Sequence, residues 1–95
     1  MSMITGNVNN PVTKAHETEG SVELLDPASS RQRLYTAEVG QGGAYKFEGV
    51  DSGSYLLFCS VWGGDTRYYW EIPVTIGDES TIHLDLLADT AQTLQ

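Results

Sequence analysis

Positive charge and cysteine are scarce in this 95-residue chain. It carries five Lys and Arg residues against 13 Asp and Glu residues, and its formal net charge is −8. Proteins bind nucleic acids and anionic membranes through basic surfaces, so this composition argues against both partners and favours cations or basic proteins. The simplest interpretation of the acidic residues is a solvated surface. The single cysteine, Cys59, cannot form an internal disulfide, which excludes a disulfide-linked secreted scaffold.

Long apolar runs and helical periodicity are also absent. No apolar run approaches the roughly 20 residues of a transmembrane helix, and the segment Met1–Gly6 lacks the basic and apolar regions of a signal peptide. We therefore expect neither membrane insertion nor a signal peptide. No window keeps an apolar face at helical spacing over three turns, which argues against amphipathic helices.

Turn-forming residues, in contrast, recur at short intervals. Between them lie short segments rich in Val, Ile, Thr, Tyr and Leu, and this pattern is typical of an all-β sandwich or barrel. We predict a single domain over residues 1–95 with its core at about 3–87, a loop at Asn9–Glu19 and a frayed tail at 88–95. The expected fold is a seven-stranded Greek-key β-sandwich, with strands at about Met3–Val8, Ser21–Leu25, Arg33–Val39, Ala44–Phe47, Gly53–Trp62, Arg67–Ile76 and Ser80–Leu87.

The fifth predicted strand is apolar on both faces. Successive side chains of a strand point to opposite sides, and the inward set continued from the other strands is Tyr55, Leu57, Cys59 and Val61. Three apolar side chains are then left pointing outward: Leu56, Phe58 and Trp62. In the sixth strand Tyr69 points outward, and Pro73 has no N–H to donate, which predicts a sheet edge or a bulge there.

Glycines and aromatic residues at turn spacing resemble those of the carboxypeptidase regulatory-like domain, a transthyretin-like and Ig-like sandwich of seven strands. The resemblance runs from about Ile4 to Leu86 and is most specific between Gly43 and Leu57. The segments that carry it are Ile4-Thr5-Gly6-Asn7-Val8, Glu19-Gly20-Ser21-Val22-Glu23-Leu24, Thr36, Gly43-Ala44-Tyr45-Lys46-Phe47-Glu48-Gly49-Val50, Gly53-Ser54-Tyr55-Leu56-Leu57 and Val74-Thr75-Ile76-Gly77. The resemblance implies an accessory domain, extracytoplasmic if it is excised from a longer protein and cytoplasmic if it is a whole protein.

The same segments carry local expectations. Gly43 and Gly53 lie where the chain reverses into a strand, where a positive φ or a close approach is needed. Tyr55 begins a strand after a turn, where a buried ring can anchor the corner while its hydroxyl reaches the backbone. The first loop is longer and more polar than the family pattern.

Enzymes with related folds have requirements that we do not find in this sequence. A hydroxyisourate hydrolase needs clustered His and Arg residues and a Tyr-Arg-Gly-Ser ending, whereas this chain ends Thr90–Gln95. An intradiol dioxygenase needs two His and two Tyr at an iron, but His16 and His83 fall in a loop and on an outer face. A zinc site lacks ligands, because Cys59 is predicted to lie in the core. We therefore expect no catalytic activity, no catalytic residue and no bound metal.

Calcium is a weaker alternative that the acidic residues leave open. Hard oxygen donors lie on several turns, but no run has the spacing of a calcium-binding loop. Asp also favours turns through its own hydrogen bonds to the backbone, which explains these positions without a cation. The acidic residues in question are Asp51, Asp65, Asp78, Glu79, Asp85 and Asp89.

The outward apolar residues admit three explanations. The Asn9–Glu19 loop or the tail covers them, another chain or domain contacts them, or Trp62 and Tyr69 stack on a sugar ring. We predict a non-catalytic accessory module that acts by contact with another protein domain or with another copy of itself. The alternative is a carbohydrate-binding module that takes a polysaccharide. The predicted contact or ligand patch is Leu56, Phe58, Trp62 and Tyr69.

Overall fold

The computed structural model describes residues 1–16, 20–28 and 32–94, which form two β-sheets joined by turns. Two short 3-10 turns accompany the strands, at Gln41–Gly43 and Ala88–Thr90. In these ranges no helix has the length and apolarity needed to cross a membrane. The strands are β1 (Ser2–Asn7), β2 (Ser21–Leu25), β3 (Arg33–Glu38), β4 (Ala44–Val50), β5 (Gly53–Gly63), β6 (Thr66–Ile76), β7 (Thr81–His83) and β8 (Gln92–Leu94).

One sheet has three strands in the order β4-β1-β7, and the other has five in the order β3-β2-β5-β6-β8. All pairings are antiparallel except that of β1 with β7, which is parallel. Apolar side chains from both sheets form one core, which confirms the all-β prediction. The largest fully buried side chains are Trp70, Ile4, Leu24, Leu57, Leu86, Val8, Val22, Val50 and Cys59.

The alternation predicted for β5 is confirmed. Its odd-numbered side chains from Tyr55 to Val61 are buried, and Cys59 is only 2% exposed. Its even-numbered apolar side chains face outward: Leu56 and Phe58 are half-buried, and Trp62 is 60% exposed. Strand β5 lies between β2 and β6, so its inner face builds the core while its outer face presents a row of large side chains.

The end of the chain differs from the prediction. The seventh strand ends at His83 instead of Leu87, and the tail is not frayed in its described part, because Gln92–Leu94 forms β8 against β6. The indole of Trp70 donates a hydrogen bond to the Leu87 carbonyl at 2.9 Å, which ties the start of this segment to the core. The sandwich therefore has eight strands in its described part, and the seven-strand Greek-key arrangement is not confirmed. Residue 95 lies outside the described residues.

The first loop is held at its base. The predicted loop is described over residues 9–16, where Asn9 and His16 form an isolated bridge and the Asn10 amide donates to the Trp62 carbonyl at 2.8 Å. Residues 17–19 of the predicted loop lie outside the described part of the chain. The loop is thus anchored to the far end of β5.

The expectations for Tyr55 and Pro73 are confirmed. The buried Tyr55 ring donates its hydroxyl hydrogen to the Asp51 carbonyl at 2.7 Å across the turn that precedes β5. Pro73 pairs with Leu56 of β5, whereas β8 pairs only with Arg67–Tyr69. In the described structure, Pro73 therefore lies on a stretch of β6 that β8 leaves as a sheet edge.

Two glycines allow close backbone approach, Gly6 within the central strand of the smaller sheet and Gly43 in the turn before β4. A Cβ atom at Gly6 would overlap the carbonyl oxygen of Leu84. Gly43 has a φ of +77°, and a Cβ there would lie 2.5 Å from the Val8 carbonyl oxygen. Gly53 also has a positive φ, of +154°, so both glycines predicted to reverse the chain do so.

Replacing Gly6 with alanine should destabilise the fold. Because the obstructing atom belongs to the backbone, the two strands must separate, and we expect a loss of about 1–3 kcal/mol, the usual cost of overpacking. Gly40→Ala is the matched control, since its nearest new contact would be the Ala44 carbonyl oxygen at an ordinary 3.8 Å. Urea denaturation at equilibrium measures both variants. Equal midpoints for Gly6→Ala and Gly40→Ala would show that the contact at Gly6 has no cost.

Candidate functional site

The four residues predicted to form a contact patch lie on one face. Leu56, Phe58 and Trp62 point outward from β5, and Tyr69 of β6 is the cross-strand partner of Ser60. Tyr69 therefore sits between the positions of Phe58 and Trp62 on the neighbouring strand. We call these four side chains the outer aromatic face.

Two of its rings are stacked. The Phe58 and Tyr69 rings have centroids 6.2 Å apart and planes inclined by 29°. The Tyr69 hydroxyl donates to the Gln92 side-chain oxygen at 2.8 Å, so β8 fixes the outer end of this pair. The stacking explains why Phe58 is only half exposed although it points away from the core.

Trp62 is held although it is exposed. The Arg67 guanidinium lies over its ring, 5.3 Å from the centroid, and donates a hydrogen bond to the Ser60 hydroxyl at 2.7 Å. A cation over an indole ring contributes about 0.5–1 kcal/mol at an exposed site. Arg67 thus links two residues of β5 across the strand pair and limits the movement of the tryptophan.

In the described residues, Trp62 stays 60% exposed beside both the first loop and the tail. The described part of the loop reaches the backbone of Trp62 through Asn10, and the side chain of Val12 lies beside Gly63. The tail reaches the aromatic face at Tyr69 through Gln92. The half-burial of Leu56 and Phe58 therefore comes mainly from neighbours on the same face.

A shallow concavity of about 640 Å³ adjoins the stacked pair. Glu23, Leu25, Arg33 and Phe58 line it, and the Arg33 Nε atom lies 2.5 Å from a Glu23 carboxylate oxygen. Leu25 is only 7% exposed, yet it does not belong to the core cluster. The sequence reasoning missed these residues because Glu23 meets Phe58 only through the pairing of β2 with β5.

The outer face of the smaller sheet carries a different set of residues. Thr5 of β1 pairs with Lys46 of β4 on one side and with His83 of β7 on the other. The Thr5 hydroxyl lies 3.3 Å from His83 Nδ1, and His83 Nε2 lies 3.0 Å from an Asp85 carboxylate oxygen. We call Lys46, Thr5, His83 and Asp85 the histidine row. The sequence analysis had placed His83 on an outer face, and Thr5 was not singled out.

The histidine row borders a second concavity, of about 470 Å³, which Thr5, Lys46 and His83 help to line. Asp85 is fixed independently, since its Oδ1 atom also accepts a hydrogen bond from the Asn7 N–H at 3.0 Å. In the part of the chain that is described, no three His, Cys, Asp or Glu side chains lie together as metal ligands. Calcium binding stays a prediction from the acidic turn residues.

Tyr45 supports the histidine row from below. Its ring is buried at the edge of the core, and its hydroxyl donates to the Leu84 carbonyl at 2.5 Å, between His83 and Asp85 in the chain. Burial raises the pKa of Tyr45 far above its ordinary value of 10.0, and the nearby charge of Asp85 raises it further. The phenol is therefore held in its neutral, donating form.

Comparison with known proteins finds similarity of structure and none of sequence family. No family model matches the chain, and no curated protein sequence matches it. The 5-hydroxyisourate hydrolase of Klebsiella pneumoniae is similar over 100% of this chain and 98% of its own, with a TM-score of 0.62 and 15% identity. A proposed carbohydrate-binding protein of Pseudomonas aeruginosa is similar over 90% of this chain and 87% of its own, with a TM-score of 0.60 and 15% identity.

A third similar structure is an (S)-allantoin synthase, with a TM-score of 0.54 and 11% identity. The similarity covers 98% of this chain but 43% of the synthase. Two of these three proteins are enzymes, so the prediction that the chain has no enzymatic activity is contradicted: the fold is one that enzymes use. The likeness shows a transthyretin-like β-sandwich, and at these identities it shows the fold alone.

Stability should fall at alkaline pH because of Tyr45. Because the pKa of Tyr45 is higher in the folded state than in the unfolded state, its contribution to the free energy of unfolding is fully present below about pH 10. Above that pH the unfolded chain loses the Tyr45 proton while the folded chain keeps it, so this contribution decreases. Each such group contributes a slope of about 1.4 kcal/mol per pH unit in that range. We expect Tyr45→Phe to lose about 0.5–1.5 kcal/mol at pH 7, for the missing hydrogen bond, and to show a shallower alkaline decline.

Urea denaturation between pH 7 and pH 11 measures both effects. Burial also raises the pKa of Tyr55, so the variant should keep part of the slope. An alkaline decline in Tyr45→Phe parallel to that of the wild type would contradict the role given to Tyr45.

Proposed function

We propose that the domain binds a neutral polysaccharide on its outer aromatic face. The observation that carries this proposal is Trp62, which is 60% exposed and yet held in place by Arg67. An exposed tryptophan on a strand adds little to the stability of the fold. Fixing it before binding reduces the conformational entropy that a ligand must overcome.

The chemistry of the face suits a sugar chain. A pyranose ring presents C–H groups on its faces and hydroxyls around its edge, so it can stack on an aromatic ring while it hydrogen-bonds to neighbouring polar groups. Phe58 and Trp62 lie four residues apart on one face of β5, which is about 13 Å at the usual strand rise. The aromatic face is thus long enough for more than one sugar ring.

The concavity beside Phe58 supplies polar partners. The Glu23 carboxylate accepts and the Arg33 guanidinium donates hydrogen bonds, and they face each other at 2.5 Å beside Leu25. A site with apolar walls and a few fixed polar groups is the usual form of a small-ligand site. Glu23 and Arg33 can replace part of their ion pair with hydrogen bonds to sugar hydroxyls.

Charge favours a neutral polymer. The protein's net charge of −8 repels anionic polysaccharides at long range, whereas it does not repel an uncharged polysaccharide. The similarity to a proposed carbohydrate-binding protein of the same fold agrees with this proposal.

Contact with a protein domain or a second copy is the competing function, and the half-buried, outward side chain of Leu56 favours it. It adds an apolar side chain to Phe58 and Trp62 on the same face of β5, as a protein interface would require. Kinship with carboxypeptidase regulatory-like domains, proposed from the Gly43–Leu57 segment, is compatible with either ligand.

Tryptophan fluorescence tests the sugar proposal directly. The chain has two tryptophans, and Trp70 is fully buried, so a ligand on the aromatic face should change the emission of Trp62 alone. We expect soluble amylose, laminarin or xylan to shift or quench the emission of the wild type. Trp62→Ala should abolish that change and weaken binding in calorimetry at least 10-fold, which corresponds to about 1.4 kcal/mol.

Val12→Ala is the control, because Val12 is also an exposed apolar residue, at 51%, but belongs to the first loop. It should bind like the wild type. If none of the three polysaccharides binds and light scattering shows a concentration-dependent mass that Trp62→Ala removes, the face is a contact between copies and the sugar proposal is wrong. Equal binding by wild type and Trp62→Ala would place the sugar elsewhere.

A further inference from the structure

The histidine row joins three chemical groups in a fixed order. The Thr5 hydroxyl, the two ring nitrogens of His83 and the Asp85 carboxylate follow one another at 3.3 Å and 3.0 Å. They come from opposite ends of the chain, since Thr5 and His83 are 78 residues apart. Neither the fold nor the proposed sugar site uses this arrangement.

The hydrogen bonds are consistent with a neutral His83 that is protonated on Nε2. An ionised Asp85 only accepts hydrogen bonds, so His83 Nε2 carries the proton and donates it to Asp85. His83 Nδ1 then has a free lone pair, and the Thr5 hydroxyl can donate to it. This order of hydroxyl, imidazole and carboxylate is the one in which a base activates a nucleophile and a third group orients the base.

The surroundings favour access and orientation. His83 is exposed, with 62% of its side chain accessible, and Thr5 lies half-buried at the wall of the 470 Å³ concavity. Asp85 is held by the Asn7 N–H, and the Leu84 carbonyl between it and His83 is held by Tyr45. Lys46 lines the same concavity, as does the acidic Glu38, and its Nζ atom lies 3.6 Å from a Glu48 carboxylate oxygen.

We propose that Thr5, His83 and Asp85 form a nucleophilic site that transfers the acyl group of a small carboxylic ester to water. The Thr5 oxygen attacks the ester carbonyl and forms a C–O bond while its proton passes to His83 Nδ1. Collapse of the tetrahedral intermediate breaks the bond to the alcohol, which leaves with the proton from Nδ1. The developing oxyanion is stabilised from the side of Lys46.

Water completes the cycle. It loses a proton to His83 Nδ1 as its oxygen attacks the acyl group on Thr5, and the proton then returns to the Thr5 oxygen as the acid is released. One ester and one water give one alcohol and one acid. No oxidant, metal or cofactor enters the balance.

The probe for this site is 4-nitrophenyl acetate, with release of nitrophenolate measured by absorbance and the protein analysed by intact mass after an acid quench. We expect an acetyl group on Thr5, located by peptide mapping. Thr5→Val, which keeps the shape of the side chain, and His83→Gln should each lower the hydrolysis rate at least 10-fold, since a positioned base contributes typically about 10²–10⁴-fold. Asp85→Asn should lower the rate less, and Thr5→Ser should retain it.

His16→Gln is the matched control for the background reactivity of a surface imidazole. His16 is exposed and hydrogen-bonded to the Asn9 side chain at 2.7 Å, and it is not a member of the Thr5–His83–Asp85 arrangement, so its loss should leave the rate unchanged. Acetyl groups on His83 or lysine instead of Thr5, or a Thr5→Val rate equal to the wild-type rate, would overturn the proposal. Polysaccharide binding on the opposite sheet should survive in Thr5→Val, so the two proposals fail separately.

Discussion

The continuous pairing of β5 with β6 is the constraint on which the rest of the sandwich depends. The two strands pair over eleven residues, from Gly53 opposite Ile76 to Gly63 opposite Thr66, without a register shift. Because side chains alternate between the two faces, this register decides at once which residues enter the core and which form the outer aromatic face. A slip of one residue would place Phe58 inside and expose Cys59.

The smaller sheet is held together by close approach of its strand backbones, because its strand pairings are short. Strand β7 has only three residues, and its continuation is held through backbone hydrogen bonds from Leu84 to Thr5 and from Leu86 to Asn7. The absence of a side chain at Gly6 lets the chain come this near, and the Tyr45 hydroxyl secures the Leu84 carbonyl. The geometry of His83 and Asp85 is therefore set by buried contacts on the other side of the same strands.

The parts of the structure that are local in sequence could be predicted, and those that depend on distant pairing could not. The two-residue period in β5 identified the buried residues and the outward Phe58 and Trp62 because alternation requires no knowledge of the partner strand. Strand β8 was missed because Gln92–Leu94 has no apolar alternation of its own, and its pairing with β6 determines its conformation. For the same reason Glu23 and Thr5 went unrecognised, since each meets its functional neighbour only across strands far apart in the chain.

The similarity to enzymes raises the question of what the fold itself contributes to chemistry. A sandwich of this kind supplies two rigid outer faces, and the side chains on those faces determine activity. At 15% identity, the similarity to the hydrolase shows the fold alone. Any catalysis by this chain must therefore come from groups that its own strands bring together. In the described residues, the Thr5–His83–Asp85 arrangement supplies a nucleophile, a base and an orienting carboxylate, whereas the opposite face supplies rings, a cation and a concavity suited to binding.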